Sequence, residues 1–352
     1  MMLADETLLE GLVRIPSVTG SEREAVRFLQ AQARADGLRV LEDAAGNFIA
    51  ETGSGPRLLL FVGHIDTVPG HIPVRVKQGT LWGRGSVDAK GPLAAAYCLA
   101  RRHKGASDIT LRIVGAVDEE GDSHGAKALD PKLRPDWIIV GEPSGVHGVT
   151  LAYKGILRGS FALERPRGHG AHPGPTAVEE AIGFWDEVRR THRLEDHFES
   201  LQGHLLSMTT SGDGLVDRVT ATFHVRLPPG TDPDRLEADL VSLGRLRDVA
   251  VACTERMRPA ESSKRTPLAA AFLQAIREQG GEPRLLRKTG TADFNLLAER
   301  HPGVPLVAYG PGDAALDHTP DERIDLAEFR QAIDILDSVV TRLASLPLAV
   351  TS

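Results

Sequence analysis

Residues 58–70 read LLLFVGHIDTVPG: five apolar residues, a glycine, and then His64 and Asp66 two positions apart. An unbroken apolar run this short suits a strand buried on both faces. It ends on side chains that bind metals or protons rather than on turn formers. The same pattern recurs downstream. ITLRIVGAVDEEG (109–121) ends on Asp118, Glu119 and Glu120, and DWIIVGEP (136–143) ends on Glu142. Between the first two runs, Gly91 to His103 is rich in alanine and leucine and reads as a crossover helix. GRGSVDAKG (83–91) sets Asp88 in a glycine-rich loop just ahead of it. Buried strands with helices between them predict an α/β layered domain. In such domains the loops at the carboxyl ends of the strands carry the site.

Working outward, Glu6 to Val13 and Ser21 to Ala35 have helical spacing, and Ser21 followed by Glu24 reads as a capping box. From Lys154 to about Glu255 the pattern changes. A strand (155–165), a long helix (176–194), a strand pair (204–212 and 217–227), a second helix (232–243) and a last strand (248–255) give the order β-α-β-β-α-β. That order is the one found in a ferredoxin-like sandwich. Beyond it, PLAAAFLQAIREQ (267–279) is helical, PLVAYG (305–310) reads as a strand, and Leu326 to Leu343 forms a closing helix. The expected organisation is a discontinuous catalytic domain, residues 1–153 and 258–352, interrupted by an inserted α+β domain at 154–257.

The chain has 352 residues, enough for about two domains of ~150. Its 41 basic and 48 acidic residues leave a net charge of −7, so no global positive field invites nucleic acid or an anionic membrane. Two cysteines, Cys98 and Cys253, are too few for a disulfide framework or a thiolate zinc site. The first residues, MMLADETLLEGL, lack the basic and apolar regions of a leader peptide, and no apolar run reaches the ~20 residues of a membrane span. The expectation is a soluble, cytoplasmic protein. GRGSVDAKG does not match G-x-G-x-x-G, which argues against a nicotinamide enzyme.

Taken singly, a histidine after a strand is commonly a hydrogen-bonded structural residue, and adjacent acids commonly form a solvated loop. Together they mean more. Several strand-end or helix-start loops each present a histidine or a carboxylate, and His318 is added by DAALDHTPDE (313–322). Clustered carboxylates repel one another and are costly to desolvate without a cation. Imidazole with carboxylate suits zinc, cobalt or manganese better than calcium or magnesium.

At this point the chain resembles the M20 family of co-catalytic zinc amidohydrolases and carboxypeptidases. GHIDTVPG, GRGSVDAKG, VDEEG, VGEPSG and GDAALDHTP carry the resemblance, in order, over nearly the whole length. It implies a zinc-aminopeptidase-like three-layer catalytic domain with a ferredoxin-like lid and dimerisation domain. It also implies two divalent ions, zinc or cobalt. His64 and Glu142 would hold one, Glu120 and His318 the other, and Asp88 would bridge them, with a cis peptide at Asp88–Ala89. Asp66 can accept the other N–H of His64 and fix its tautomer. Glu119 would serve as general base and then as acid toward the leaving amine. A tetrahedral oxyanion needs a further donor. GHGAHPG (168–174) resembles the lid motif that supplies it, with His172 better aligned than His169. Relatives often take this histidine from a partner subunit, which implies a homodimer through the inserted domain.

RKTGTADFNLL (287–297) resembles one branch of the family. That branch releases lysine or ornithine from the γ-glutamyl C-terminus of an acidic carrier protein, LysW. Lys288, Thr289, Gly290 and Thr291 would form a substrate turn ahead of a helix beginning near Asp293. Arg226 aligns with an arginine that holds a substrate carboxylate. Asp213 stands near the position where relatives carry a substrate-binding asparagine. Arg287 and Lys288 are the candidate docking ground for the acidic carrier. The competing readings are N-acetylornithine deacetylase, succinyl-diaminopimelate desuccinylase, and a dipeptidase or carboxypeptidase.

Overall fold

The computed structural model describes residues 3–169 and 173–347, and the chain forms two compact units. The first takes in the chain up to Leu151, Ser262–Leu286, and the chain from Leu296 onward. Its sheet has the strand order Arg39–Leu41, Phe48–Gly53, Thr110–Ala116, Leu58–His64, Trp137–Gly141, Leu306–Ala308 and Gly148–Tyr153. Leu58–His64 lies parallel to Thr110–Ala116 on one side and to Trp137–Gly141 on the other. The apolar runs therefore sit where two-sided burial was expected. Leu59, Phe61, Leu111, Ile113 and Ile139 join one cluster with residues of the helices Asp5–Val13, Lys90–Arg102, Pro267–Glu278 and Leu326–Ser345. Leu60, Val62, Val114, Ile138 and Val140, which alternate with them, are buried as well. Burying both faces of a mixed sheet whose central strands run parallel gives the three-layer α/β architecture. Among the described residues, no helix is long and apolar enough to cross a membrane.

The second unit spans Ala152–Glu261 and Arg287–Asn295. Its four strands run antiparallel in the order Gln202–Gly212, Val216–Leu227, Gly155–Pro166, Ala250–Met257. With the helices Ala177–Thr191 and Pro233–Leu246 between them in sequence, this is a β-α-β-β-α-β sandwich. Phe161, Phe184, Trp185, Phe223, Leu236 and Leu240 form its core.

Two details differ from the expectation. Helix Arg23–Asp36 begins after Glu22 with no side-chain cap. Ser21 instead donates its N–H to Val18 in a turn, and Glu22 Oε1 accepts the N–H of Gly20 at 2.7 Å, so the Ser21–Glu24 box does not form. A reciprocal box does form at Thr176 and Glu179, at the head of Ala177–Thr191. Second, residues 287–295 pack with the inserted unit rather than with the unit that flanks them in sequence. Asn295 Nδ2 donates to the carbonyls of Lys154 at 3.1 Å and Arg258 at 2.8 Å, and Phe294 lies 5.0 Å from the Tyr153 ring.

Candidate metal centre

His64 is the last residue of its strand, and Glu142 follows directly on the neighbouring one. Gly63 pairs with Gly141 in parallel register, so the next residue of each strand, His64 and Glu142, emerges at the same edge. Their close approach requires the glycine at 141: a Cβ there would lie 2.5 Å from the Phe61 ring and 3.1 Å from Gly63 Cα. Thr110–Ala116, parallel on the other side, delivers Glu119 and Glu120 a few residues past its end. The turn begins at Asp118 in the left-handed region (φ 63°), where its own carboxylate accepts the N–H groups of Asp122 and His124.

Five donors converge. His64 Nε2 lies 3.0 Å from Asp88 Oδ1 and 4.0 Å from Glu142 Oε1. His318 Nε2 lies 3.0 Å from the other oxygen of the same carboxylate, Asp88 Oδ2, and 2.8 Å from Glu120 Oε1. One donor atom from each of His64, Asp88 and Glu120 lies within 4.8 Å of the others. The Asp88–Ala89 peptide is cis, and His318 has a positive φ of 61°. Asp88 thus faces a different imidazole with each of its two oxygens. Two imidazoles and three carboxylates grouped this way fit a pair of divalent transition-metal ions.

The electrostatics agree with a site built for positive charge. His318 is pushed up to about 10 by Asp88 and Glu120 accepting from its ring. Burial disfavours protonated His64, yet the Asp66 and Asp88 carboxylates at its ring, with the charge of Glu119, hold it well above the ordinary histidine value. Burial would raise Asp88, but the two imidazoles hold it well below the usual carboxylate range.

Asp66 does more than accept from His64. His64 Nδ1 lies 3.0 Å from the Asp66 carbonyl oxygen and 3.4 Å from its Oδ1. The carboxylate also accepts the N–H of Glu119 on Oδ1 at 3.1 Å and that of Glu120 on Oδ2 at 3.0 Å, and Thr19 Oγ1 donates to Oδ2 at 2.9 Å. One buried side chain therefore orients the His64 ring and pins the backbone of both adjacent glutamates. The sequence reading missed Thr19, because nothing in SVTGSE signals a partner 47 residues away.

The residues expected to contact substrate, Arg226 and 288–291, lie in the second unit. Arg226 Nη1 donates to Thr291 Oγ1 at 3.3 Å. Burial and the neighbouring Arg158 lower the pKa of Arg226. Buried Lys154 donates to the carbonyls of His197 and Ser200 at 3.0 and 2.8 Å. Burial lowers its pKa, partly offset by Glu199, and Arg226 adds to the lowering. Thr289 and Gly290 form the bend after strand Arg284–Lys288, and helix Asp293–Arg300 follows. Lys288 Nζ lies 5.8 Å from the Tyr153 ring. Arg287 is engaged within the unit: it pairs with Glu199 at 2.6 Å and lies 4.1 Å over the Phe198 ring, which weakens its candidacy as docking ground. Asp213 is consumed by its own turn, accepting the N–H groups of Leu215 and Val216 at 2.9 Å, and these bonds hold it at about 2. It does not replace an asparagine directed at substrate. His172 lies outside the described residues.

Residues 60–342 match the model of peptidase family M20/M25/M40. The chain is 43% identical over 336 residues to a putative LysW-lysine/LysW-ornithine hydrolase of Pyrococcus abyssi, covering 95% of this chain and 93% of that protein. It is 40% identical over 352 residues to a LysW-lysine hydrolase of Deinococcus radiodurans, covering 97% of each. Among solved structures, the aminopeptidase PepT of Bacillus cereus shares the fold with a TM-score of 0.80 at 20% identity, over 98% of this chain and all of that one.

Proposed function

The chain belongs to peptidase family M20/M25/M40 and is a hydrolase of linear amide C–N bonds; on that premise we propose that it releases lysine, ornithine or both from the γ-glutamyl C-terminus of the carrier protein LysW, with two zinc ions per subunit. The observation that carries the metal reading is Asp88, with one oxygen 3.0 Å from His64 and the other 3.0 Å from His318. The substrate reading draws its support from relatives at 40–43% identity along nearly the whole chain.

His64, Glu142 and Asp88 would hold one ion, and Glu120, His318 and Asp88 the other. Bound there, the pair would polarise the scissile carbonyl and make a water nucleophilic near neutral pH. Glu119 then takes the proton of the attacking water and passes it to the departing amine nitrogen, so the amino acid leaves neutral at that nitrogen. Asp66 keeps Glu119 in place through its backbone N–H. His172 is assigned as donor to the oxyanion, in a homodimer formed through the inserted unit. Arg226, with Lys288 and the Thr289–Gly290–Thr291 turn, is assigned to the carboxylate of the amino acid released. Burial lowers both Lys154 and Arg226, with Arg226 adding to the lowering of Lys154 and Arg158 to that of Arg226, and this supports the assignment because crowded, buried cations favour an incoming anion.

The deciding experiment compares kcat/KM for LysW-γ-glutamyl-lysine, LysW-γ-glutamyl-ornithine, N-acetylornithine and succinyl-diaminopimelate with the zinc-loaded protein. The carrier-bound substrates should be preferred by at least an order of magnitude. Preference for either small acyl compound replaces this reading with that of a small-molecule deacylase.

A further inference from the structure

Glu322 stands four residues after His318 and is fully buried. Its Oε1 accepts the backbone N–H of Val87 at 3.0 Å and that of Asp88 at 3.1 Å. Its Oε2 lies 2.7 Å from Arg84 Nη1, and its carbonyl accepts the N–H of Gly83 at 3.3 Å. Local structure puts it there. Strand Arg323–Asp325 pairs antiparallel with Thr80–Trp82, with Arg323 opposite Trp82, so the residue before one faces the residue after the other. Arg84 in turn donates from Nε to the carbonyl of Gly70 at 3.3 Å. The Arg84–Glu322 pair therefore ties together three loops: the one that follows His64 and Asp66, the one that carries Asp88, and the one that carries His318.

A buried ion pair by itself contributes little net stability, because desolvating both charges offsets their attraction. Here one carboxylate oxygen is committed to two N–H groups, one of them the amide of the shared ligand itself. Asp88 has to present its two oxygens to imidazoles that reach it from chain positions 64 and 318. A small backbone rotation at residue 88 would align it with one and withdraw it from the other. We propose that Glu322 is a positioning residue of the metal centre, holding the Asp88 backbone in register with His318 so that one carboxylate serves both ions. Arg84 neutralises it and keeps its second oxygen from turning away. This rests on the two-ion reading above.

The test is calorimetric titration of Zn²⁺ alone into metal-stripped wild type, Glu322→Gln, and the double variant Arg84→Met/Glu322→Gln. The thermal midpoint of each apoprotein is measured alongside. Wild type should take up two ions. Glu322→Gln should bind them about 10- to 100-fold more weakly, the range typical of losing a group that orients a metal ligand. The double variant carries no unpaired buried charge, so it should regain apoprotein stability while its affinity stays at least tenfold weaker. Wild-type affinity in either folded variant overturns the proposal, even if the midpoint drops, because that is the signature of a merely structural pair. Failure of wild type to bind two ions overturns the two-ion reading instead, and this inference with it.

Discussion

Glu119 and Glu120 share a peptide bond and point to different tasks. Glu120 meets His318 at 2.8 Å, and its backbone, like that of Glu119, is fixed by Asp66. On the proposed mechanism, replacing Glu119 with alanine removes the proton carrier and leaves the proposed metal ligands in place. We expect Glu119→Ala to retain both ions by elemental analysis while kcat falls by at least the ~10²–10⁴ typical of a general base. Wild-type turnover in the variant would assign the proton transfer to another group. At this scale the sequence was legible wherever a histidine or carboxylate closes or directly follows a buried strand, as with His64 and Glu142. It was not legible for Thr19 and Glu322. These act through an Asp66 oxygen and through backbone N–H groups, and a backbone partner 234 residues away leaves no mark on residue type.

Individual elements show where local pattern succeeds and where it misleads. S-x-x-E at 21–24 and T-x-x-E at 176–179 are equivalent as strings, yet the second alone closes a reciprocal cap. The difference lies upstream: the Ser21 N–H is already held by Val18, in a turn that leads into Glu22. Thr176→Ala should therefore cost about 1 kcal/mol, a typical value for losing an N-cap, whereas Ser21→Ala should be close to neutral. Urea denaturation of the two variants side by side would check this, and equal losses would contradict the assignment of the caps. Apolar periodicity located the long helices and several buried strands but passed over two others, Phe48–Gly53 and Gly148–Tyr153. The affiliation of 287–295 escaped it, because the Asn295 fork and the Phe294–Tyr153 stack join segments distant in sequence.

For the molecule as a whole, binding to the native state alone stabilises it by about 2.7 kcal/mol per site at a hundredfold excess over Kd. Chelation should therefore destabilise the unit that holds the five donors and leave the inserted sandwich nearly untouched. Hydrogen exchange read by mass spectrometry is the suitable measurement. Protection should fall in 64–70, 83–89 and 118–124 and persist in the strands of the sandwich. A uniform loss across both units would count against a centre confined to the first. The change in strand pattern near residue 154 is visible in the sequence, whereas the inclusion of Arg287–Asn295 in the second unit is not. What sequence order could not supply is the convergence of the loops, which depends on the register of parallel strands.

The dispersal of the donors along the polypeptide also has a consequence in time. A ribosome threads out His64, Asp88, Glu120 and Glu142 first, then the second unit, and His318 only after it. Until that last imidazole emerges, Asp88 has only one of the two histidines that flank it in the folded chain. On the two-ion reading, a chain that stops before residue 318 lacks the second imidazole facing Asp88 and should be inactive.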